Sequence, residues 1–237
     1  LHYKLIKPRN MAEGQRYPVI VDVYGGPGAQ RVQRAWGNLF HQVLAQNGYV
    51  VFTLDNRGSG QRGTQFETAL YRRMGTVEVQ DQVRGAEFLK TLPFVDPKRI
   101  GVFGWSYGGY MALMCLMQAP DTFAAAVSGA PVTDWTLYDT HYTERYMGTP
   151  QDNAQGYAAG NVMTHADKLK GPLLIMHGMA DDNVLFTHST ALFKKLQDLG
   201  KSFEVMPYPG SKHALLRHAG TGLHGYMTIR KFFDENL

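Results

Sequence analysis

The sequence has little that departs from an ordinary globular domain. It contains one cysteine, Cys115, among 237 residues, so it can form neither an internal disulfide nor a cysteine-based metal site. No apolar run approaches the length of a membrane-spanning helix. The net charge is +4, and basic residues adjoin one another only in pairs, namely Arg72-Arg73, Lys98-Arg99, Lys194-Lys195 and Arg230-Lys231. This scattered charge indicates neither a nucleic-acid-binding stripe nor a polybasic membrane patch.

Apolar runs typical of buried strands alternate with helical patterns along the whole chain. The strands are predicted at 2–7, 17–24, 49–54, 100–103, 124–127, 173–177 and 203–208, and the helices at about 33–47, 77–91, 107–118, 187–199 and 223–235. Such alternation predicts an α/β fold with a mostly parallel, doubly wound sheet. We expect one domain over 1–237. The turn at 10–16 predicts a hairpin and an antiparallel first strand, and the aromatic segment 131–167 reads as irregular.

The most informative motif is Gly104-Trp105-Ser106-Tyr107-Gly108, which lies between the strand at 99–103 and the helix at 107–118. A strand, Gly-x-Ser-x-Gly and a helix form the nucleophile elbow of the α/β-hydrolase fold. Bulky side chains two residues on either side of the serine would collide with the neighbouring strand and helix. The motif therefore predicts that Ser106 is a nucleophile at the tip of a tight turn.

A serine nucleophile needs a base, and the base needs an orienting acid. In α/β-hydrolases both follow the serine, the acid first. Two candidates for the acid, Asp181 and Asp182, follow the strand at 173–177, and His213 follows the strand at 203–208. Sequence position favours His213 as the base and leaves the choice between the two aspartates open.

Three other histidines compete with His213 for the role of base. His218 and His224 lie in the helical end of the chain, and His177 ends a strand before a glycine. For His177 we expect a packed structural role.

An oxyanion hole needs two donors aimed at the developing negative charge. One is the backbone N–H of the residue after the nucleophile, here Tyr107. The second is expected in the loop after the strand at 17–24, where Tyr24 precedes Gly25-Gly26-Pro27-Gly28. Residue chemistry alone leaves open whether the Tyr24 hydroxyl is this donor or a packed core group.

Several blocks resemble the catalytic domain of the prolyl oligopeptidase family, and most closely its dipeptidyl peptidase IV branch. The resemblance covers nearly all of 1–237, and its most specific blocks are Gly104-Trp-Ser-Tyr-Gly108 and Tyr142-Thr-Glu-Arg-Tyr-Met-Gly148. The other matching blocks are Val23-Tyr-Gly-Gly-Pro27, Asp55-Asn-Arg-Gly-Ser-Gly60 and Ala180-Asp-Asp-Asn-Val184.

The resemblance implies a role for each matching residue. Ser106, Asp181 and His213 are implied as nucleophile, acid and base, and the Tyr24 hydroxyl and the Tyr107 N–H as oxyanion donors. Asn183 is implied to bind the substrate backbone, and Arg145 to support the amine-binding corner. The implied lining of a proline pocket is Tyr107, Val132, Trp135, Tyr138, Tyr142 and Val184. A flat pyrrolidine ring suits such an aromatic box.

The sequence departs from the family pattern around the histidine, where it has Ser211-Lys212-His213-Ala214, and at Gly26-Pro27-Gly28, which lacks a cysteine found in some relatives. Family enzymes carry a preceding β-propeller with a glutamate pair that grips the substrate's amino terminus, and no segment here matches it. Because the chain begins at Leu1 without an initiator methionine or a signal peptide, we expect a fragment of a longer protein. The resemblance suggests a periplasmic, secreted or membrane-anchored location.

The predicted function is a serine peptidase that cleaves after proline or alanine near the amino terminus of short peptides, with no metal or organic cofactor. A homodimer is a further expectation. The alternatives within the enzyme class are an oligopeptidase, a prolyl tripeptidyl peptidase or an esterase with the same triad. The alternative from another class is a catalytically silent binding domain, against which the joint presence of Ser106, Asp181 and His213 argues.

Overall fold

A seven-stranded sheet forms the centre of the computed structural model, which describes residues 1–237. The strands are β1 (His2–Ile6), β2 (Tyr17–Asp22), β3 (Val50–Asp55), β4 (Val95–Trp105), β5 (Ala125–Gly129), β6 (Leu173–Gly178) and β7 (Glu204–Tyr208). Their order across the sheet is β1-β3-β2-β4-β5-β6-β7, and all strands except β1 run parallel. The central strands are buried on both faces, as expected for their continuous apolar runs. The predicted α/β class is thus confirmed.

The first strand is antiparallel, as predicted, but the predicted hairpin is wrong. β1 pairs with β3, with His2 opposite Asp55 and Ile6 opposite Val51. Both edges of β2 are already occupied, by β3 on one side and β4 on the other. The segment after β1 therefore carries the chain past β3 instead of folding back on its own strand.

Eight α-helices cover the two faces of the sheet. They are α1 (Leu39–Gln46), α2 (Thr64–Glu67), α3 (Val77–Lys90), α4 (Tyr107–Gln118), α5 (Thr140–Met147), α6 (Ala154–Gly160), α7 (Thr187–Asp198) and α8 (Ala219–Asn236). Eleven of the twelve residues of α4 are buried, so this helix lies at the centre of the larger core. A second core on the opposite face packs α1 and α8 against the sheet. None of the helices is both long and apolar enough to cross a membrane.

Two predicted segments differ from the structure. The first helix begins at Leu39 instead of residue 33, because Asn38 caps it by accepting the Phe40 N–H at 2.9 Å. The Asp55 carboxylate holds the backbone N–H of Arg31 at 2.8 Å, which keeps the preceding loop out of helical conformation.

The segment 131–167, predicted to be irregular, contains α5 and α6. Asp139 caps α5 by accepting the Tyr142 N–H at 2.7 Å, and Asn153 caps α6. Local capping by these side chains makes short helices where apolar periodicity is weak. The segment follows β5 and lies at the carboxyl ends of the parallel strands, where ligand sites form.

Candidate active site

Ser106 occupies a sharp turn between β4 and α4. Its backbone has φ 64° and ψ −119°, an unfavourable conformation for a residue with a side chain. The turn is so tight that a β-carbon built on Gly104 or Gly108 would collide with backbone carbonyl groups, including that of Val23. The Ser106 N–H donates to the Gly129 carbonyl at 2.8 Å, which ties the turn to β5. The predicted elbow geometry is present.

Three side chains from distant parts of the sequence form one hydrogen-bonded chain at this turn. The His213 Nε2 lies 2.9 Å from the Ser106 Oγ, and the His213 Nδ1 lies 2.7 Å from the Asp181 Oδ2. Asp181 follows β6 and His213 follows β7. The Trp105 indole donates to the His213 carbonyl at 2.9 Å and so fixes the histidine loop against the elbow.

The Asp181 carboxylate is buried and accepts hydrogen bonds at both oxygens. Its Oδ1 accepts the backbone N–H groups of Asn183 and Val184, each at 3.0 Å. Burial alone would raise the pKa of Asp181, but hydrogen bonds from His177, His213 and the Asn183 N–H lower this pKa well below its ordinary value. Asp181 is therefore ionised at neutral pH while hydrogen-bonded to the His213 imidazole.

His177 contacts the same carboxylate oxygen of Asp181 as His213 does. Its Nε2 lies 3.2 Å from the Asp181 Oδ2 and 2.8 Å from the Val184 carbonyl oxygen. Both neighbours are acceptors, so this nitrogen carries a proton, while the Ser189 hydroxyl lies 2.7 Å from Nδ1. The expected packed role fits this burial, but the contact with Asp181 was not predicted. The only sequence signal for this contact is that Asp181 stands four residues after His177, the end of the predicted strand.

The rival candidates for acid and base lie elsewhere. Asp182 is exposed and pairs with Lys212 at 2.5 Å. His218 is exposed at the start of α8, and its side chain makes no hydrogen bond there. The His224 Nδ1 lies 3.0 Å from the Tyr208 hydroxyl. None of them contacts Ser106.

Tyr24 and Tyr107 lie next to each other beside the nucleophile. Their ring centroids are 6.1 Å apart, and a β-carbon built on Gly26 would contact both rings, at 2.7 Å and 3.0 Å. Glycine at this position therefore lets the loop after β2 approach the elbow. Burial raises the pKa of the Tyr24 hydroxyl, so this group is a proton donor at neutral pH.

Aromatic side chains line one side of the site. The Trp135 ring is stacked on Tyr142 with centroids 6.1 Å apart, and Tyr138 meets Tyr142 edge-on at 5.5 Å. The Tyr107 ring closes the group against Trp135 at 5.4 Å. The structure thus brings together the aromatic residues singled out from the sequence.

The remaining predicted residues surround this aromatic group. Val132 and Val184 are buried beside it. The Asn183 Oδ1 accepts the Tyr138 hydroxyl at 2.8 Å, which leaves the amide NH₂ of Asn183 without a partner in the chain. Arg145 is exposed on α5, and its guanidinium lies 3.4 Å from the His141 Nε2. It contacts none of the other predicted site residues.

A buried acid, Glu78, lies behind the aromatic group and was not predicted from the sequence. Its Oε1 accepts the Tyr107 hydroxyl at 2.7 Å and the Gly75 N–H at 2.6 Å, whereas Oε2 has no partner. Burial raises the pKa of Glu78 despite these two hydrogen bonds. The contact fixes the far end of the Tyr107 ring. No local signal marks it, because the two residues are 29 positions apart.

No group of three or more histidine, cysteine, aspartate or glutamate side chains is arranged to hold a metal ion. The chemistry that this arrangement supports directly is nucleophilic attack by Ser106 with His213 as the proton acceptor.

Comparison with known proteins identifies related chains. The sequence model of the prolyl oligopeptidase family matches residues 38–237. Dipeptidyl peptidase 8 from Homo sapiens is 42% identical over 100% of this chain, which covers 27% of that protein. The crystal structure of Porphyromonas gingivalis dipeptidyl peptidase 4 superposes with a TM-score of 0.96 and 38% identity, over 99% of this chain and 33% of that one. A solved chain from Bacteroides ovatus gives a TM-score of 0.95 and 44% identity, over 100% and 34%.

These relatives confirm the α/β-hydrolase fold. The chain spans only about a quarter to a third of their length.

Proposed function

The chain belongs to the prolyl oligopeptidase family, and on this premise we propose that it is the catalytic part of a dipeptidyl peptidase IV-like serine peptidase. It cleaves after proline or alanine near the amino terminus of short peptides. The observation that carries the proposal is the hydrogen-bonded series Ser106–His213–Asp181 together with the aromatic group of Tyr107, Trp135, Tyr138 and Tyr142. The names of the relatives, dipeptidyl peptidases 8 and 4, support the same reaction.

In the proposed mechanism, the Ser106 Oγ attacks the scissile carbonyl carbon while the His213 Nε2 accepts its proton. The Asp181 carboxylate holds the ring through Nδ1 and stabilises the imidazolium. The imidazolium then protonates the leaving amine, the peptide C–N bond breaks, and an acyl-enzyme remains on Ser106. Water, deprotonated by His213, releases the acyl group by the reverse sequence.

The negative oxygen formed during attack is assigned two donors. These are the backbone N–H of Tyr107, which follows the nucleophile, and the Tyr24 hydroxyl. The raised pKa of Tyr24 supports its role as a donor at neutral pH.

Substrate selection is assigned to the aromatic group and its neighbours. Trp135, Tyr138 and Tyr142 provide flat walls for a pyrrolidine ring, which has no side-chain hydrogen bond to offer. The free NH₂ of Asn183 supports a role as donor to a substrate backbone carbonyl. Arg145 is assigned to the amine-binding corner on the family resemblance.

The proposal includes a preceding β-propeller that grips the free amino terminus of the substrate. The share of 27% to 34% that this chain covers in its relatives supports a longer protein. We also propose a homodimer. Four exposed apolar side chains of α1 and α8 support it, namely Leu39, Val43, Leu223 and Met227, and the molar mass of the intact protein in solution tests it.

A fluorophosphonate probe tests the proposed chemistry, because it reacts covalently only with an activated serine. We expect labelling of Ser106 in the intact protein and none in the Ser106→Ala variant. Folded protein without labelling would favour a catalytically silent binding domain. Peptides with varied second and third residues then separate a dipeptidyl peptidase from a tripeptidyl peptidase, an oligopeptidase or an esterase.

A further inference from the structure

A cavity of about 190 Å³ is lined by residues that adjoin Ser106 and His213 in the chain. Its walls include Tyr24, which is assigned to the oxyanion hole, Trp105, which precedes the nucleophile, and Ala214, which follows the histidine. Each of these three residues lies next to a different part of the triad region. The cavity therefore lies at the carboxyl ends of β2 and β4, the end of the sheet at which Ser106 also stands.

The cavity and the aromatic group are built by different segments of the chain. The aromatic pocket is built by segments that follow β5 and β6, and none of Trp135, Tyr138 and Tyr142 lines the cavity. The cavity is built by β2, β4 and the segment after His213. With the acyl part of a peptide assigned to the aromatic group, the cavity is the site left for the leaving part.

Two guanidinium groups face this cavity. The Arg31 Nη2 donates to the Asp22 Oδ2 at 3.0 Å, and its other nitrogens have no acceptor in the chain. The buried Asp22 carboxylate is further bound by the His41 Nε2 at 2.7 Å. Arg217 is exposed at the cavity wall and forms no salt bridge. The local charge therefore favours an anionic group.

We propose that this cavity binds a carboxylate of the leaving peptide through Arg217, with Arg31 as a second donor. The carboxylate is either an aspartate or glutamate side chain at one of the first two leaving residues, or the terminal carboxylate of a tripeptide. A guanidinium fork matches a planar carboxylate in two-point geometry. An extended residue spans about 3.3–3.6 Å, so one or two residues past the scissile bond give the carboxylate a reach of about 3–7 Å from that bond. This inference rests on the proposed peptidase function.

The test compares Gly-Pro peptides that differ only in their leaving part, with the intact protein as enzyme. One arm is Gly-Pro-Ala-Ala-amide against its variants with Glu or Lys at either leaving position. The other arm is Gly-Pro-Ala as the free acid against its amide. We expect kcat/KM to be about three- to tenfold higher for the carboxylate-bearing member, the size typical of a charge-assisted pair that stays partly in water. The arm that shows the preference identifies the source of the carboxylate.

Variants then assign the preference to Arg217. Arg217→Gln should bring the ratio between acidic and neutral substrates close to one, and Arg217→Lys should retain part of it. The matched control is Lys231→Gln, which removes the same charge from an exposed position on α8 and should leave the ratio unchanged. Added salt should reduce the preference in the wild type.

The outcomes separate the two levels of inference. Cleavage of all these peptides without a carboxylate preference, or a preference that persists in Arg217→Gln, overturns the cavity assignment and leaves the peptidase function intact. No cleavage of any Gly-Pro peptide, together with no probe labelling of Ser106, instead contradicts the function itself. A melting temperature for Arg217→Gln equal to that of the wild type shows that the variant is folded.

Discussion

Replacing Tyr24 by Phe removes one hydroxyl from the active site and almost no volume. The hydroxyl has no hydrogen-bond partner within the chain, and its pKa is raised by burial, so its proton is available to a ligand. Loss of this group breaks no internal contact. We therefore expect the free energy of unfolding to change by less than about 0.5 kcal/mol. Loss of one oxyanion donor should lower kcat by roughly 10²–10³, or about 3–4 kcal/mol of transition-state stabilisation.

The assay is steady-state hydrolysis of a Gly-Pro chromogenic amide, with urea unfolding measured on the same samples. KM should change little, because the donor binds charge that develops only in the transition state. The matched control is Tyr3→Phe, which removes a phenol hydroxyl from an exposed side chain of the edge strand β1 and should leave kcat and KM as they are. An unchanged kcat for Tyr24→Phe, with lowered stability, would refute the oxyanion role and make Tyr24 a packing residue.

Three further predictions follow from the contacts around the site. Ser106→Ala should abolish turnover, measured by hydrolysis, and keep the fold. His213→Ala should be about as damaging to turnover, because triad members act as a unit. Loss of activity in His218→Ala but not in His213→Ala would refute the assignment of His213 as the base. Tyr107→Phe leaves the buried Glu78 carboxyl short of one donor, so urea unfolding should show a loss of about 1–3 kcal/mol, and an unchanged midpoint would contradict this. Burial lowers the pKa of His188 to about 4, so the unfolded chain takes up this proton between about pH 6.5 and 4 while the folded protein does not. The free energy of unfolding should therefore decrease as the pH is lowered from about 6.5 to 4, by up to about 1 kcal/mol per pH unit. The decrease should be less steep in His188→Asn, and equal slopes in the two proteins would exclude His188 as a cause.

Much of the candidate site is determined by the sequence, because its signals are local. The elbow requires glycine on both sides of Ser106, and the motif that signals it spans only five residues, 104–108. Asp181 and His213 stand in loops directly after strands, and parallel strands bring their carboxyl ends to one edge of the sheet. Apolar runs and turn residues likewise predicted every strand and five of the helices.

Other features were decided only by the tertiary structure. Position in the sequence left Asp181 and Asp182 as alternatives, since both follow the same strand, and only the family resemblance favoured Asp181. In the structure His213 approaches the buried Asp181, while Lys212 pairs with Asp182 at the surface. The pairing of β1 with β3 depends on which sheet edge remains free.

The remaining features that only the tertiary structure decided are contacts between residues that are distant in the sequence. Glu78 meets Tyr107, and Arg31 and Arg217 face one cavity, although no repeat or motif links these positions in the chain. Local patterns report which face of a helix or strand is apolar, and that is enough to order the elements along the sheet. The partner of a single buried or charged side chain depends instead on how the finished layers pack, which no local pattern in the sequence specifies.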